Sequence, residues 1–152
     1  MTTHTHPYYL KAGPLASRFN KAVGWLARHG MSFMGTAELS VRGRKSGRML
    51  RLPVNPHHHD GEQYLVSARG HSQWVRNMRA AGGGELRVGR KVRPFTVEEV
   101  PPDTAVPVLR SYLERWGWEV DQYFQGVTAA SSDEELRAAA PDHPVFRLTE
   151  TR

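Results

Sequence analysis

A run of cationic residues between positions 42 and 51, RGRKSGRMLR, is the most distinctive chemical feature of this 152-residue sequence. Five Arg or Lys side chains fall within these ten residues, and Gly43, Ser46 and Gly47 separate them. Glycines let a backbone turn so that amide groups and cationic side chains converge on one anion, and a serine adds a hydroxyl donor. The run therefore predicts either a site for phosphate or carboxylate groups or a hairpin tip whose charges only face water.

A second basic turn, SARGHSQWVRN at residues 67–77, follows a segment rich in β-forming residues. If the strands before the two loops pair, Arg69 and the N-terminus of the next predicted helix add positive charge and amide donors beside the first loop. Trp74 is large enough to cover a flat ring, although a core position is the more usual role for such a residue. Asn77, one turn further on, either anchors a polar edge of a ligand or faces solvent.

Other kinds of active site find little support in the sequence. The chain has no cysteine, which excludes disulfides, thiolate metal sites and a cysteine nucleophile. We interpret His57–His59 as turn residues, because adjacent side chains in a turn rarely converge on one metal ion, and we predict no metal. Glycine motifs for nucleotides, a serine elbow and paired carboxylates are missing. If the protein is an enzyme, a cofactor supplies the reactive group.

The elements that position these loops can be predicted from periodicity. Antiparallel strands separated by glycine-containing turns are predicted at 36–41, 49–54, 63–68, 85–88, 91–100 and 144–148. Pro94 indicates that the fifth of these is an edge strand or is bulged. Helices are predicted around Trp74, after residues 101–102, at 120–126, and at 133–139 with Ser132 as N-cap. The pattern predicts an α+β fold, with a small antiparallel barrel or curved sheet and flanking helices.

Length and charge limit the domain organisation and the possible partners of the protein. The chain is long enough for one hydrophobic core; we predict a flexible arm at 1–13 and a single domain at 14–152, opened by an amphipathic helix at 14–30. The net charge of +6 favours anionic partners, but no nucleic-acid-binding motif is present and we expect no nucleic acid. No stretch approaches the roughly 20 apolar residues of a membrane span, so we expect a cytoplasmic protein.

The motifs occur together in an order found in one enzyme family. The pieces are Gly43–Arg48, Arg51–Val54, Asp60–Gly61, Ser67–Gly70, Trp74 with Asn77–Met78, and Pro144–Leu148. This series, which spreads across residues 15–150, resembles the deazaflavin-dependent nitroreductase and F420H2-dependent quinone reductase family. The resemblance implies a split β-barrel that binds coenzyme F420, a deazaflavin with a phosphate and an oligoglutamate tail.

The resemblance also implies a set of site residues, in which the cationic loop holds the acidic tail and the later segments lie along the cofactor. The implied cofactor-binding residues are Arg44, Lys45, Ser46, Gly47, Arg51, Leu52, Pro53, Val54, Ser67, Ala68, Arg69, Trp74 and Asn77. Tyr123 is the nearest counterpart of tyrosines that family members place over the deazaflavin, and it is our candidate catalytic residue. The chain departs from the family at Arg48–Arg51, which reads RMLR where many members have RPRR.

The implied activity is transfer of a hydride from reduced F420 to a small-molecule acceptor such as a quinone, an enone or a nitro compound, with solvent or Tyr123 supplying the proton. Two alternatives stay open: a non-catalytic split barrel that binds F420 or a lipid-like ligand, and a reductase that uses flavin mononucleotide (FMN). The amphipathic first helix, residues 14–29, either contacts the inner face of the membrane peripherally or packs on the core. The sequence leaves the oligomeric state open.

Overall fold

The computed structural model describes residues 36–151. The arm predicted at 1–13 and the helix predicted at 14–30, together with any membrane contact of that helix, lie outside the described residues. None of the helices between residues 36 and 151 combines the length and the apolar character that crossing a bilayer requires.

Seven antiparallel strands form a curled sheet in the order β2-β1-β5-β6-β7-β4-β3. The strands are β1 (Ala37–Arg42), β2 (Met49–Val54), β3 (His57–His59), β4 (Glu62–Val66), β5 (Gly83–Val88), β6 (Lys91–Glu99) and β7 (Val145–Glu150). Three hairpins, β1–β2, β3–β4 and β5–β6, account for half of the pairings, and β7 returns to lie between β6 and β4. This is the predicted α+β split barrel with flanking helices.

Three α-helices accompany the sheet in the described part of the chain: α1 (Gln73–Ala81), α2 (Pro102–Val120) and α3 (Asp133–Ala139). Helix α1 ends at Gly82, whose φ of 74° gives the left-handed conformation that glycine adopts without a steric penalty. Helix α3 begins at Ser132 with a complete capping box to Glu135, as the sequence predicts. A 3-10 turn, Asp121–Tyr123, follows α2 directly.

The buried side chains form two clusters, one on each helix-covered part of the sheet. Alternation along β1 buries Ala37, Leu39 and Val41, which pack in one cluster with Met78 of α1. The second cluster forms along α2, where the predicted stripe of Val106, Leu109, Leu113 and Trp116 is buried. Full burial of each such aliphatic side chain contributes about 1.5–3 kcal/mol, so these two clusters hold α1 and α2 in fixed positions on the sheet.

Two local predictions differ from the structure, and a third agrees with it. His57–His59 is strand β3 and not a turn; the turn is Asp60–Gly61, where φ values of 49° and 77° close the β3–β4 hairpin. Of the helix predicted at 120–126, only the 3-10 turn Asp121–Tyr123 forms, because α2 runs to Val120 and the left-handed φ values at 125 and 126 end helical structure. The edge position predicted for Pro94 is confirmed: β6 pairs with β5 over residues 91–96 and with β7 over residues 95–99, so Pro94 pairs with β5 alone.

Candidate functional site

A cavity of about 200 Å³ lies where four parts of the fold meet. Its walls come from the end of β2, the end of β4 with the link that follows it, the first turn of α1, and the last turns of α2 with the 3-10 turn. Eight residues named from the sequence line it together: Leu52, Pro53, Val54, Ser67, Ala68, Arg69, Trp74 and Tyr123. The fold thus brings three separate sequence segments and Tyr123 to one place.

Trp74 packs on the core, as expected, and it also faces the cavity. Its ring lies 5.9 Å from that of Phe146, centroid to centroid and tilted by 54°, so one part of the indole packs on the core. The residue is only partly buried, and it also lines the cavity. An indole fixed by core packing is a rigid wall against which a flat ring can stack.

The cationic loop is a tight connection between β1 and β2. Gly43 N–H donates to the Arg48 carbonyl at 2.7 Å, and Gly47 N–H donates to the Gly43 carbonyl at 2.9 Å. Gly47 has a φ of 74°, and Arg42 Nη1 donates to its carbonyl at 2.7 Å. Ser46 Oγ accepts from Arg48 N–H at 3.2 Å. These bonds give the loop one defined backbone shape.

Arg44 fastens this loop to α1. Its backbone N–H and its Nη1 both donate to Asn77 Oδ1, at 3.1 and 2.7 Å, and its Nη2 donates to Gln73 Oε1 at 2.9 Å. Asn77 is 2% exposed, so the acceptor is fixed inside the protein. Gln73 precedes Trp74, which lines the cavity; the cationic loop and the cavity therefore meet at the first turn of α1.

The other cations of the site differ in what they contact. The side chains of Lys45, Arg48 and Arg69 make no hydrogen bond or ion pair with another residue between 36 and 151, and Lys45 and Arg48 are exposed. Arg51 Nε lies 4.0 Å from Oε1 of the buried Glu38. Because side chains alternate along a strand, Arg51 lies on the opposite face of β2 from Leu52, which lines the cavity. Six of the residues named from the sequence do not line the cavity: Arg44, Lys45, Ser46, Gly47, Arg51 and Asn77.

Sequence reasoning missed the polar wall of the cavity. Asn55 and Glu119 line it, and Asn55 Nδ2 donates to Glu119 Oε2 at 3.3 Å. Burial raises the pKa of the Glu119 carboxyl, while the Asn55 hydrogen bond and the charge of Arg115 oppose that rise. Burial, aided by the nearby Glu119, also raises the pKa of the Tyr112 phenol. The remaining unpredicted lining residues are Leu65, Val66, Val120 and Gln122.

No sequence signal marks Glu119 or Asn55 as site residues. Glu119 lies in a helical stretch with other acids, and Asn55 precedes a proline as many loop residues do. They become neighbours only because the end of α2 packs beside the end of β2.

The link between β4 and α1 is pinned to the region before β7. Ser67 N–H donates to the Pro144 carbonyl at 2.9 Å, and His143 Nδ1 lies 2.9 Å from the Ala68 carbonyl. His143 stacks on Phe124 at 3.9 Å, and burial lowers the pKa of its imidazole. The hydroxyl of Ser72, just before α1, is buried without a hydrogen-bond partner among the described residues. The link therefore holds Arg69 and the start of α1 in place.

The chain matches the family described as F420H(2)-dependent quinone reductase over residues 16–130. It belongs to that family. The protein is accordingly an F420-dependent oxidoreductase, and coenzyme F420 is its cofactor. No curated protein matches the chain.

Solved structures resemble the described fold at low sequence identity. A structure of an F420-H2 dependent reductase (FDR-A) is 18% identical with a TM-score of 0.51, over 76% of this chain and 94% of that one. A protein described as a domain-swapped dimer is 18% identical with a TM-score of 0.53, over 76% and 80%. Atu2129 from Agrobacterium tumefaciens str. C58, of unknown function, is 17% identical with a TM-score of 0.56, over 91% and 57%. These likenesses show the split-barrel fold.

The residues present in the site fit coenzyme F420. The apolar part of the cavity wall suits a flat deazaflavin ring, and three cations without partners inside the described region suit the phosphate and glutamate groups. The orphaned Ser72 hydroxyl, at the positive end of α1, offers a further donor to an anionic group.

Proposed function

We propose that this protein reduces a quinone-type acceptor with reduced F420, with the deazaflavin ring in the cavity and the acidic tail along the cationic loop. One observation carries the proposal: Arg44 docks the loop onto α1 within one residue of Trp74, which lines the cavity. The ring site and the tail site then form one continuous surface. Lys45, Arg48 and Arg69 are the cations in this proposal that bind the tail.

The volume of the cavity supports a ring placed inside it and an acidic tail placed outside it. Pockets that enclose a drug-sized ligand have volumes of about 300–1,000 Å³. A cavity of about 200 Å³ lies below that range, so it does not hold the ring together with its phosphate and several glutamates. The anionic part of the cofactor has to lie outside, where exposed cations bind it at little desolvation cost.

The walls of the cavity also suit a flat, neutral acceptor. When bound, the reduced deazaflavin supplies a hydride. The apolar side chains of Leu52, Val54 and Trp74 exclude water from the reacting atoms, while Asn55, Glu119 and Tyr123 place polar groups along one side. A quinone has the matching shape, with an apolar ring and carbonyl oxygens that accept hydrogen bonds. In this proposal Tyr123 orients the acceptor from the turn after α2.

The tail site is tested by cofactor affinity. Lys45→Ala/Arg48→Ala should weaken F420 binding about tenfold, the equivalent of about 1.4 kcal/mol for two exposed charge pairs. Arg90→Ala is the control for loss of a cation elsewhere on the surface, because Arg90 is an exposed cation in the β5–β6 turn, near the opposite end of β1 from the loop. Deazaflavin fluorescence measures both. Equal affinity of the double variant and wild type would contradict the proposal, as would equal binding of a deazaflavin without phosphate and glutamates.

The acceptor is tested by turnover. Loss of reduced-F420 absorbance with a panel of a quinone, an enone and a nitroaromatic compound ranks the three classes by kcat/KM. The proposal expects the quinone to rank first. Tight F420 binding without turnover of any acceptor would favour a non-catalytic binding protein, and turnover with reduced FMN alone would favour a flavin enzyme; either result overturns the proposal.

A further inference from the structure

The position of Glu119 in the fold favours its neutral acid form. Glu119 is the last residue but one of α2, where unpaired carbonyl groups give a helix end partial negative charge, and no basic residue lies in that last turn. An anion there is disfavoured by the helix and also by loss of water on burial. The carboxyl nevertheless lines the cavity proposed for the ring and the acceptor.

Asn55 gives this carboxyl a fixed orientation. The Thr36 hydroxyl donates to Asn55 Oδ1 at 3.1 Å, which turns the amide nitrogen of Asn55 toward Glu119. Asn55 Nδ2 then donates to Glu119 Oε2 at 3.3 Å, and Oε1 is the oxygen that this bond does not engage. Within residues 36–151, the other titratable or charged groups around the site are Tyr112 and Arg115 on α2, Arg69 after β4, and Tyr123.

We propose that Glu119, positioned by Asn55, donates the proton that completes reduction of the acceptor. The inference rests on the proposed function. As the hydride bonds to one carbonyl oxygen of the quinone, an electron pair moves through the ring to the other carbonyl oxygen, the O–H bond of Glu119 breaks, and its proton bonds to that second oxygen. A quinone plus one hydride and one proton gives a hydroquinone, and the Glu119 carboxylate regains its proton from water. The Asn55 hydrogen bond holds Glu119 on the cavity wall, which favours Glu119 as the proton donor.

The pH dependence of turnover tests this role. Wild-type kcat should fall as pH rises through the pKa of Glu119. Glu119→Gln should lower kcat about 100-fold at neutral pH, the usual contribution of a general acid, and should abolish that fall. Asn55→Ala removes a donor that favours the charged form, so its fall in kcat should move to higher pH. Glu114→Gln, an exposed acid on the same helix, is the matched control and should leave the profile unchanged.

A second measurement needs neither cofactor nor turnover. In the chain labelled with carboxyl-¹³C glutamate, NMR should show one resonance that titrates above the others, is missing in Glu119→Gln and moves to higher pH in Asn55→Ala. If Glu119→Gln fails to fold, Asn55→Ala still tests the role of Glu119, through the shift of its kcat profile and of its Glu119 resonance to higher pH.

The failures of the two proposals are distinguishable. An active wild type whose Glu119→Gln variant keeps its kcat and pH profile, or whose Glu119 resonance titrates with the other glutamates, overturns only the role of Glu119. A wild type that oxidises no reduced F420 with any acceptor overturns the proposed function and this inference with it.

Discussion

Replacing Asn77 with alanine should destabilise the protein mainly by releasing the cationic loop. Asn77 Oδ1 accepts two hydrogen bonds from Arg44, one from the backbone and one from the guanidinium group. A neutral hydrogen bond contributes about 0.5–1.5 kcal/mol and one to a charged group about 1.5–3 kcal/mol, which together give about 2–4.5 kcal/mol. Because small proteins have about 5–15 kcal/mol of stability, Asn77→Ala should still fold. F420 affinity should fall with it, since the loop is no longer fixed beside the cavity.

Urea unfolding of a double-mutant cycle measures this effect. Arg44→Ala removes only the guanidinium bonds, so in that background Asn77→Ala should still cost about 1 kcal/mol for the backbone bond, well below its cost in wild type. Gln73→Ala is the control, because its bond to Arg44 is exposed and should contribute less than about 1 kcal/mol. If Asn77→Ala cost the same free energy in both backgrounds, Arg44 and Asn77 would not be coupled and the fastening role would be refuted.

Two further predictions concern stability. Burial lowers the pKa of His143, so the unfolded chain binds protons more readily than the folded one. The free energy of unfolding should therefore fall as pH drops below 6.5. His143→Gln should make that fall shallower, as measured by urea titrations at pH 7.5 and 5. Gly84→Ala should lower the melting temperature, because the new Cβ would lie 2.5 Å from the Ser40 carbonyl oxygen. Gly117→Ala should raise stability by about 0.5–1 kcal/mol, because Gly117 lies in α2 with open space around it. A more stable Gly84→Ala or a less stable Gly117→Ala would contradict the packing described.

The strands could be predicted where their signal is local. Alternating apolar residues and glycine turns identify β2 to the residue, and Ser132 with Glu135 identifies the start of α3. Strand β3 could not be predicted, because its three histidines have no β-forming pattern and are extended through pairing with β4. The glycines at 83 and 84 look like part of a helix stop, yet they belong to β5, where neighbouring strands approach too closely for any side chain.

In the candidate site, too, some features could be predicted from the sequence and others could not. Segments that line the cavity could be predicted because each carries a recognisable motif, and the fold brings them together. The bonds from Arg44 to Gln73 and Asn77 cross about thirty positions of sequence, and the Asn55–Glu119 bond crosses 64. Such pairs depend on how α1 and α2 lie against the sheet. Local patterns do not contain that information.

Asn77 and Gln73, which hold Arg44, are both neutral, and this preserves the charge of the cationic loop. Two unit charges 8 Å apart repel by about 0.5 kcal/mol in water and about 2 kcal/mol at an effective dielectric constant of 20, so a loop with this many cations needs an anchor. Asn77 and Gln73 anchor Arg44 without cancelling its charge. Asn77→Asp should therefore keep the loop in place, with stability closer to wild type than Asn77→Ala, yet weaken F420 binding because a carboxylate offsets one cation. Unfolding and fluorescence titration measure the two effects separately. Unchanged F420 affinity in Asn77→Asp would mean that the charge of the loop does not contribute to cofactor binding.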